Sequence, residues 1–211
     1  MSRATLFVIP GSHPAMAAQR MLEHKRIPFK RVDLLPVVSR GVLKVMGYPG
    51  VTVPSLRIDG RKITGSRQIS RALDEIEPEP PLFPDDRAAR VAVEDAERWG
   101  EEVLADAVRR ILWNAIKRNK APMRSYLEGA RIGFPHGLAV ATAGPFIAAE
   151  LKINDVNDDA VRADLAAFPG WLDRIDAWIA DGVLGGEHLN AADFMVAPSL
   201  ALILYRPDVK P

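Results

Sequence analysis

Four prolines, Pro78, Pro80, Pro81 and Pro84, fall within the seven residues 78–84. Proline fixes φ and has no amide proton, so neither a helix nor a central strand passes through such a stretch. The 211 residues therefore read as two units, 1–77 and 87–211, with a proline-rich linker over 78–86. Charge divides the same way. Residues 1–77 hold 13 Lys and Arg against 6 Asp and Glu, net +7, and residues 78–211 hold 15 against 21, net −6. Two domains with different surface chemistry are expected.

The first unit alternates short apolar runs with helical patterns. Thr5 to Ile9 and Phe29 to Leu34 read as strands, with a helical segment from Pro14 to Lys25 between them. A second helical pattern centres on Arg40 to Met46, and Ser55 to Ile58 and Lys62 to Thr64 then flank Asp59-Gly60-Arg61, a hairpin signal. Ser66 to Ile76 closes the unit as a helix. The order β-α-β-α-β-β-α demands a mixed sheet, because a helical crossover joins parallel strands and a tight turn joins antiparallel ones.

The second unit reads as wholly helical. Val91, Trp99, Val103, Ala107 and Ile111 recur mostly in steps of four, and Trp171, Leu172, Ile175, Trp178 and Ile179 mark a further helix within 168–180. Such aromatic stripes are ordinarily core packing. Phe194 to Tyr205 is apolar almost all round and belongs at a domain centre. The charge-free stretch Ile132 to Ala149 is broken by Gly133, Pro135, Gly137, Gly144 and Pro145, so it reads as buried loop and helix, with no membrane partner.

Zero cysteines exclude a disulfide scaffold, a cysteine-ligated metal and a protein thiolate; any sulfur chemistry must use a ligand's sulfur. His13, His24, His136 and His188 show no metal-ligand spacing, so no metal site is expected. Phosphate-binding and serine-hydrolase motifs are absent, and the cations of the first unit are scattered, which argues against nucleic acid. Arg3 is the only early basic residue and the apolar run from Leu6 to Ile9 stops at Pro10-Gly11, too short for a signal peptide, so a cytoplasmic location is expected.

Two local features remain. At Pro10-Gly11-Ser12-His13-Pro14 a strand hands over to a helix with proline near its first position, and Ser12 or His13 is the cap. That junction favours an anion, although a serine there is in the simplest case only a helix cap. Val53-Pro54 enters a strand pattern and suits a cis peptide bond, with the Val53 backbone open to an extended ligand.

Together these segments resemble the glutathione S-transferase family, which joins a thioredoxin-like domain to an all-helical one. SHPAMAAQRML, 12–22, is similar to the family pattern Ser-Pro-x-Cys/Ser-x-x-Val-Arg-x-x-Leu, and VPSLRIDGRKITGSRQISRAL, 53–73, to Val-Pro-x-Leu-x-x-Asp-Gly followed by Ile and Glu-Ser-x-x-Ile. GGEHLNAADFMVAPSL, 185–200, looks like the family's glycine turn and capping box, with Asn190 as cap and Asp193 three residues on. The resemblance implies a thioredoxin-like thiol-binding domain over 1–77, an all-helical domain over 87–211 and a homodimer. It also implies a cytoplasmic detoxification enzyme that conjugates glutathione, as cosubstrate, to small electrophiles. Phe7 stands near the tyrosine position of one class and Ala15 at the cysteine position of another, which leaves Ser12 as the serine-type stabiliser of the thiolate. Val53, Pro54, Ser66 and Arg67 form the implied thiol-ligand cradle, and Trp99, Trp113 and Phe134 are candidates for the electrophile pocket.

Departures from the family pattern fall in the cradle. Gly65 replaces the acidic residue that pairs with the ligand's ammonium group, and Thr52 lacks the charge that meets its terminal carboxylate. Arg67 is a possible replacement cation. The chain stops at Pro211, where family members commonly continue into another helical segment that helps close the electrophile pocket. Two further readings keep the fold: an enzyme for another low-molecular-weight thiol, and an inactive transferase-like scaffold that binds a partner.

Overall fold

A computed structural model describes residues 4–204 except 128, 132 and 134. The chain opens with strand β1 (Ala4–Val8), helix α1 (His13–His24), strand β2 (Phe29–Asp33), helix α2 (Pro36–Val45), strands β3 (Ser55–Ile58) and β4 (Arg61–Thr64), and helix α3 (Ser66–Ile76). The sheet order is β2-β1-β3-β4, with β1 parallel to β2 and the other pairs antiparallel. The expected mixed sheet is thus observed. Asp59 and Gly60 both take positive φ, 47° and 80°, which suits the right-handed twist of the β3–β4 hairpin.

Alternation along β1 divides the packing. Ala4, Leu6 and Val8 enter the main core with residues of α1 and α3, while Phe7 joins Leu34, Leu43 and Tyr48 in a second cluster with α2. Helix α2 begins at Pro36, four residues before the helical pattern read from sequence, because proline at the first helical position forfeits an amide proton the helix does not use.

The remaining described elements are helices: α4 (Arg87–Trp99), a π-helical turn (Gly100–Leu104), α5 (Ala105–Arg118), α6 (Met123–Tyr126), α7 (His136–Ala141), α8 (Gly144–Ile153), α9 (Asp158–Ala180) and α10 (Ala191–Leu204). This is a thioredoxin-like domain followed by a helical one. Their apolar interiors are continuous, with Leu82 and Phe83 packed into the same core as Leu22, Leu73, Leu104 and Met195. Along the α4–α5 rod Trp99 and Ala107 are buried as the sequence pattern read them, together with Val93, Ala96, Leu104, Val108, Leu112 and Ile116, whereas Val91 and Val103 are exposed, the latter inside the π turn.

Helix α10 packs against α1, α3, α4 and α5, as its all-round apolarity required. Its start is locked by the capping box: the Asn190 amide donates to Asp193 Oδ2 at 2.9 Å, and Asn190 Oδ1 accepts from the Asp193 amide at 3.4 Å. The segment around α7 and α8 lies nearer the surface than its composition suggested; Leu138 is exposed, and Val140, Ala143 and Ile147 supply its buried contacts. Ile132 and Phe134 lie outside the described residues. Among the described residues, no helix is long and apolar enough to cross a membrane.

Candidate functional site

A cavity of about 590 Å³ lies between the thioredoxin-like domain and the helical one. One wall comes from the β1–α1 turn, α2, the segment ahead of β3 and the first turn of α3. The opposite wall is apolar, with Leu112, Trp113 and Ile116 of α5, Met123 of α6 and Phe146 of α8. Trp113 and Phe146 meet edge to face, centroids 5.4 Å apart, the arrangement favoured by aromatic quadrupoles. Such a wall accepts a flat apolar group.

Ser12 stands where β1 hands over to α1. Its backbone is extended, and its Oγ accepts a 3.4 Å hydrogen bond from the Ala15 amide, so Ser12, and not His13, is the helix cap. The bond uses a lone pair only. The hydroxyl proton has no acceptor among the described residues, and Ser12 lines the cavity, so the same group that caps the helix can donate to an anion there. Phe7 is committed elsewhere, edge to face with Tyr48 at 5.6 Å, and Ala15 is buried.

His13 also lines the cavity and is 4% exposed; its Nε2 is buried without a hydrogen-bond partner. Burial, assisted by the charge of Arg109, lowers its pKa from 6.5 to about 3, so the imidazole is neutral at physiological pH. Arg109, on the α5 wall, is tied to Asp106 at 2.9 Å.

Val53 and Pro54 line the cavity beside Ser12, and their peptide bond is cis. The Pro54 carbonyl accepts from the Gly65 amide at 2.9 Å. Gly65 takes φ of 97°, a conformation side-chain-bearing residues rarely adopt, so an acidic residue at that position would be strained. An acid reaches this end of the cavity from the helical domain. Ser66, 1% exposed, donates its hydroxyl proton to Glu101 Oε1 across 2.7 Å, and Glu101 lines the same end of the cavity. Arg67 turns to the same pair of acids, 2.9 Å from Glu102 Oε1 and 3.7 Å from Glu101 Oε2. It is not a cavity-lining cation.

At the other end Thr52 is uncharged, but Arg40 of α2 lines the cavity and has no ion-pair partner among the described residues. Arg40 and Glu101 were missed in the sequence. Neither sits in a local motif, and Glu101 reaches the cleft from 35 residues beyond Ser66 because the π turn aims it there. Trp113 lines the cavity as expected. Trp99 does not: it packs in the core against Trp178, with the Arg174 guanidinium 5.5 Å from its ring centroid. Phe134 is outside the described residues. Among those residues, no group of three or more His, Cys, Asp or Glu could hold a metal ion.

Residues 6–81 match the family model for the glutathione S-transferase N-terminal domain. The chain is similar in structure to a glutathione S-transferase from Rhodospirillum rubrum F11, with 22% identity, TM-score 0.64, and 97% of this chain and 80% of the other covered. It is similar to the beta-etherase LigF from Sphingobium sp. strain SYK-6, with 20% identity, TM-score 0.67 and coverage of 97% and 85%. It also resembles a theta class glutathione S-transferase from Xanthomonas axonopodis pv. citri with glutathione bound, at 15% identity, TM-score 0.64 and coverage of 99% and 96%. No curated protein matches the sequence. The sequence match covers the first domain, and the structural similarity over nearly the whole chain shows a shared fold.

Proposed function

We propose that the protein is a glutathione transferase-like enzyme of serine type, which conjugates a bound thiol tripeptide to small apolar electrophiles. The observation that carries this reading is Ser12: a helix-capping hydroxyl on the cavity wall whose proton is uncommitted among the described residues. That proton donates to the ligand's sulfur and favours the thiolate, with the amino end of α1 adding a smaller attraction. The thiolate then attacks the electrophile, forming a carbon–sulfur bond and expelling the leaving group or opening the ring. A free thiol near pKa 8.5 is a few per cent ionised at neutral pH, and one hydrogen bond to the anion, worth roughly 1.5–3 kcal/mol, makes thiolate the main form.

In this reading Val53 and Pro54 meet the ligand's backbone, Ser66 and Arg67 shape the end of the cleft that receives its γ-glutamyl group, and Arg40 meets its terminal carboxylate. Trp113 and Phe146 receive the electrophile. The family's match over residues 6–81 and a glutathione-bound relative of the same fold support glutathione as cosubstrate. Thiol-binding and helical domains meeting at residues 78–86, a two-fold dimer, a cytoplasmic role in detoxification and the absence of a metal, nucleic-acid or membrane partner complete the proposal.

A second reading, the same chemistry with another low-molecular-weight thiol, is favoured by the commitment of Ser66 to Glu101. The test is conjugation of an aryl halide or epoxide, with thermal unfolding in glutathione beside other thiols. Ligand at a hundred times its dissociation constant stabilises the fold by about 2.7 kcal/mol. Turnover with glutathione supports the first reading; turnover and stabilisation by a different thiol alone transfers the proposal to the second; neither with any thiol defeats both.

A further inference from the structure

Resting on the transferase reading above, we infer that the electrophile pocket selects substrates carrying a neutral hydroxyl group beside their flat apolar body, through Arg109, Glu150 and Asn154. The pocket is not apolar throughout. Arg109 precedes Trp113 by one turn of α5, and Glu150 and Asn154 follow Phe146 at one-turn spacing along α8 and its C-cap. All five line the cavity, so the two helices present an aromatic pair and then a polar strip to the same ligand. Asn154 joins the helices there: its Oδ1 accepts from Arg109 Nη1 at 3.5 Å, and its Nδ2 donates to Glu150 Oε2 at 3.0 Å and to the Glu150 carbonyl at 2.7 Å. Arg109 Nη1 also holds Asp106 Oδ1 at 2.9 Å.

Both charged groups keep bonding capacity. Among the described residues, the Arg109 Nε and Nη2 protons have no acceptor, and Glu150 Oε1 has neither a donor nor an ion-pair partner. Ligand chemistries sort on that pair. A carboxylate satisfies Arg109 but meets two carboxylates, Asp106 and Glu150, against one guanidinium. His13, neutral at the same cavity, does not alter that count. An ammonium satisfies Glu150 but lies against Arg109 and offers it no acceptor. A hydroxyl accepts from the one and donates to the other without a charge penalty, as the Asn154 amide does. A wholly apolar electrophile expels water from both groups and returns no hydrogen bond, which costs binding.

Conjugation of glutathione to four 1-fluoro-2-nitrobenzenes tests this, the ring bearing methyl, hydroxymethyl, carboxymethyl or aminomethyl para to fluorine. In each the thiolate forms a carbon–sulfur bond and fluoride leaves with the electron pair of the broken carbon–fluorine bond. Each kcat/KM is divided by the rate constant of the uncatalysed reaction, so that intrinsic reactivity cancels. The hydroxymethyl compound is expected to exceed the methyl one by about threefold or more, and the two charged ones by about tenfold or more. Glu150→Gln keeps an acceptor for Asn154 and loses the charge, so the gap between hydroxymethyl and carboxymethyl should fall to about threefold or less. A hydroxymethyl compound no better than the methyl or a charged one, or a gap unchanged in Glu150→Gln, overturns the inference while leaving glutathione conjugation standing. No enzymatic turnover of any of the four overturns both the inference and the reading beneath it. If Glu150→Gln does not fold, the wild-type order decides alone.

Discussion

The Ser70 hydroxyl donates to Glu97 Oε1 across 2.7 Å, joining α3 to α4 at a point where Glu97 is 1% exposed. Arg71 completes the group, pairing with Glu97 Oε2 while its guanidinium lies 4.8 Å from the centroid of the Phe83 ring. Burial, the larger effect, raises the Glu97 pKa, and the bonds from Ser70 and Arg71 offset part of that rise. The contact holds the two domains in the register that brings Glu101 to Ser66, one helical turn further along.

Glu97→Ala is therefore expected to cost about 1–3 kcal/mol in urea unfolding, since it removes the buried acceptor that Ser70 and Arg71 share, while Ser70 keeps the Arg67 carbonyl at 2.9 Å. Glu97→Gln keeps the volume and the acceptor oxygen and should cost clearly less. Equal losses for the two variants would show that the network matters only for packing.

Ser12→Ala separates the cap from the chemistry. Losing the cap bond costs ~1 kcal/mol of stability, and the long 3.4 Å contact sets it toward the lower end of the range. Losing the donor to sulfur costs roughly 1.5–3 kcal/mol of thiolate stabilisation, so the bound thiol's pKa should rise by about one to two units and turnover at neutral pH fall by about 8- to 25-fold as the thiolate fraction drops. Ultraviolet titration of the bound thiolate reads the shift directly. An unchanged titration midpoint with normal ligand affinity removes Ser12 from the mechanism.

Much of this was legible in the chain because it is written locally. The Asp59-Gly60 turn, the proline cluster and the Asn190–Asp193 box each act within a few residues, and the mixed sheet, the helical second half and the start of α10 follow from them. What escaped was long-range or irregular. The π turn has no signature of its own, so Val103, one position before the buried Leu104, reads as inward-facing from the sequence, and Trp99, a pocket candidate there, is core. Gly65 looked like a lost contact. Its φ of 97° suits glycine, while Glu101 of the other domain meets Ser66 beside it, and no spacing rule links positions 35 residues apart.

Arg40 is expected to carry the ligand-facing charge that Thr52 lacks, because it lines the cavity with no ion-pair partner among the described residues. Exposed charge contacts are worth about 0.2–1 kcal/mol, rising when a ligand excludes water. Arg40→Ala should weaken binding of a thiol tripeptide by about three- to tenfold and leave the unfolding midpoint unchanged. The test compound is the same peptide with its terminal carboxylate amidated: the variant should bind both alike, and a preserved preference for the free acid assigns the contact to another residue.

His13 supplies a pH signature that depends on no ligand. Its folded pKa of about 3 lies below the ordinary 6.5, first through burial and then through Arg109, so the unfolded chain binds a proton that the folded one refuses. The sign follows: this group has no effect on stability well above pH 6.5, and as pH falls below 6.5 it destabilises the fold by up to about 1.4 kcal/mol per pH unit, until the folded site titrates near pH 3. His13→Phe removes both the titration and the unpartnered Nε2 while keeping an aromatic ring. At pH 7 the variant should lie within about 1 kcal/mol of wild type, since relief of the orphaned nitrogen and a modest change in volume oppose each other. By pH 5 it should gain about 2 kcal/mol relative to wild type, a difference in which His24, also lowered by burial, cancels because both proteins retain it. Urea unfolding at the two pH values measures this, and a variant-to-wild-type gap that stays constant between them would mean the folded imidazole titrates normally.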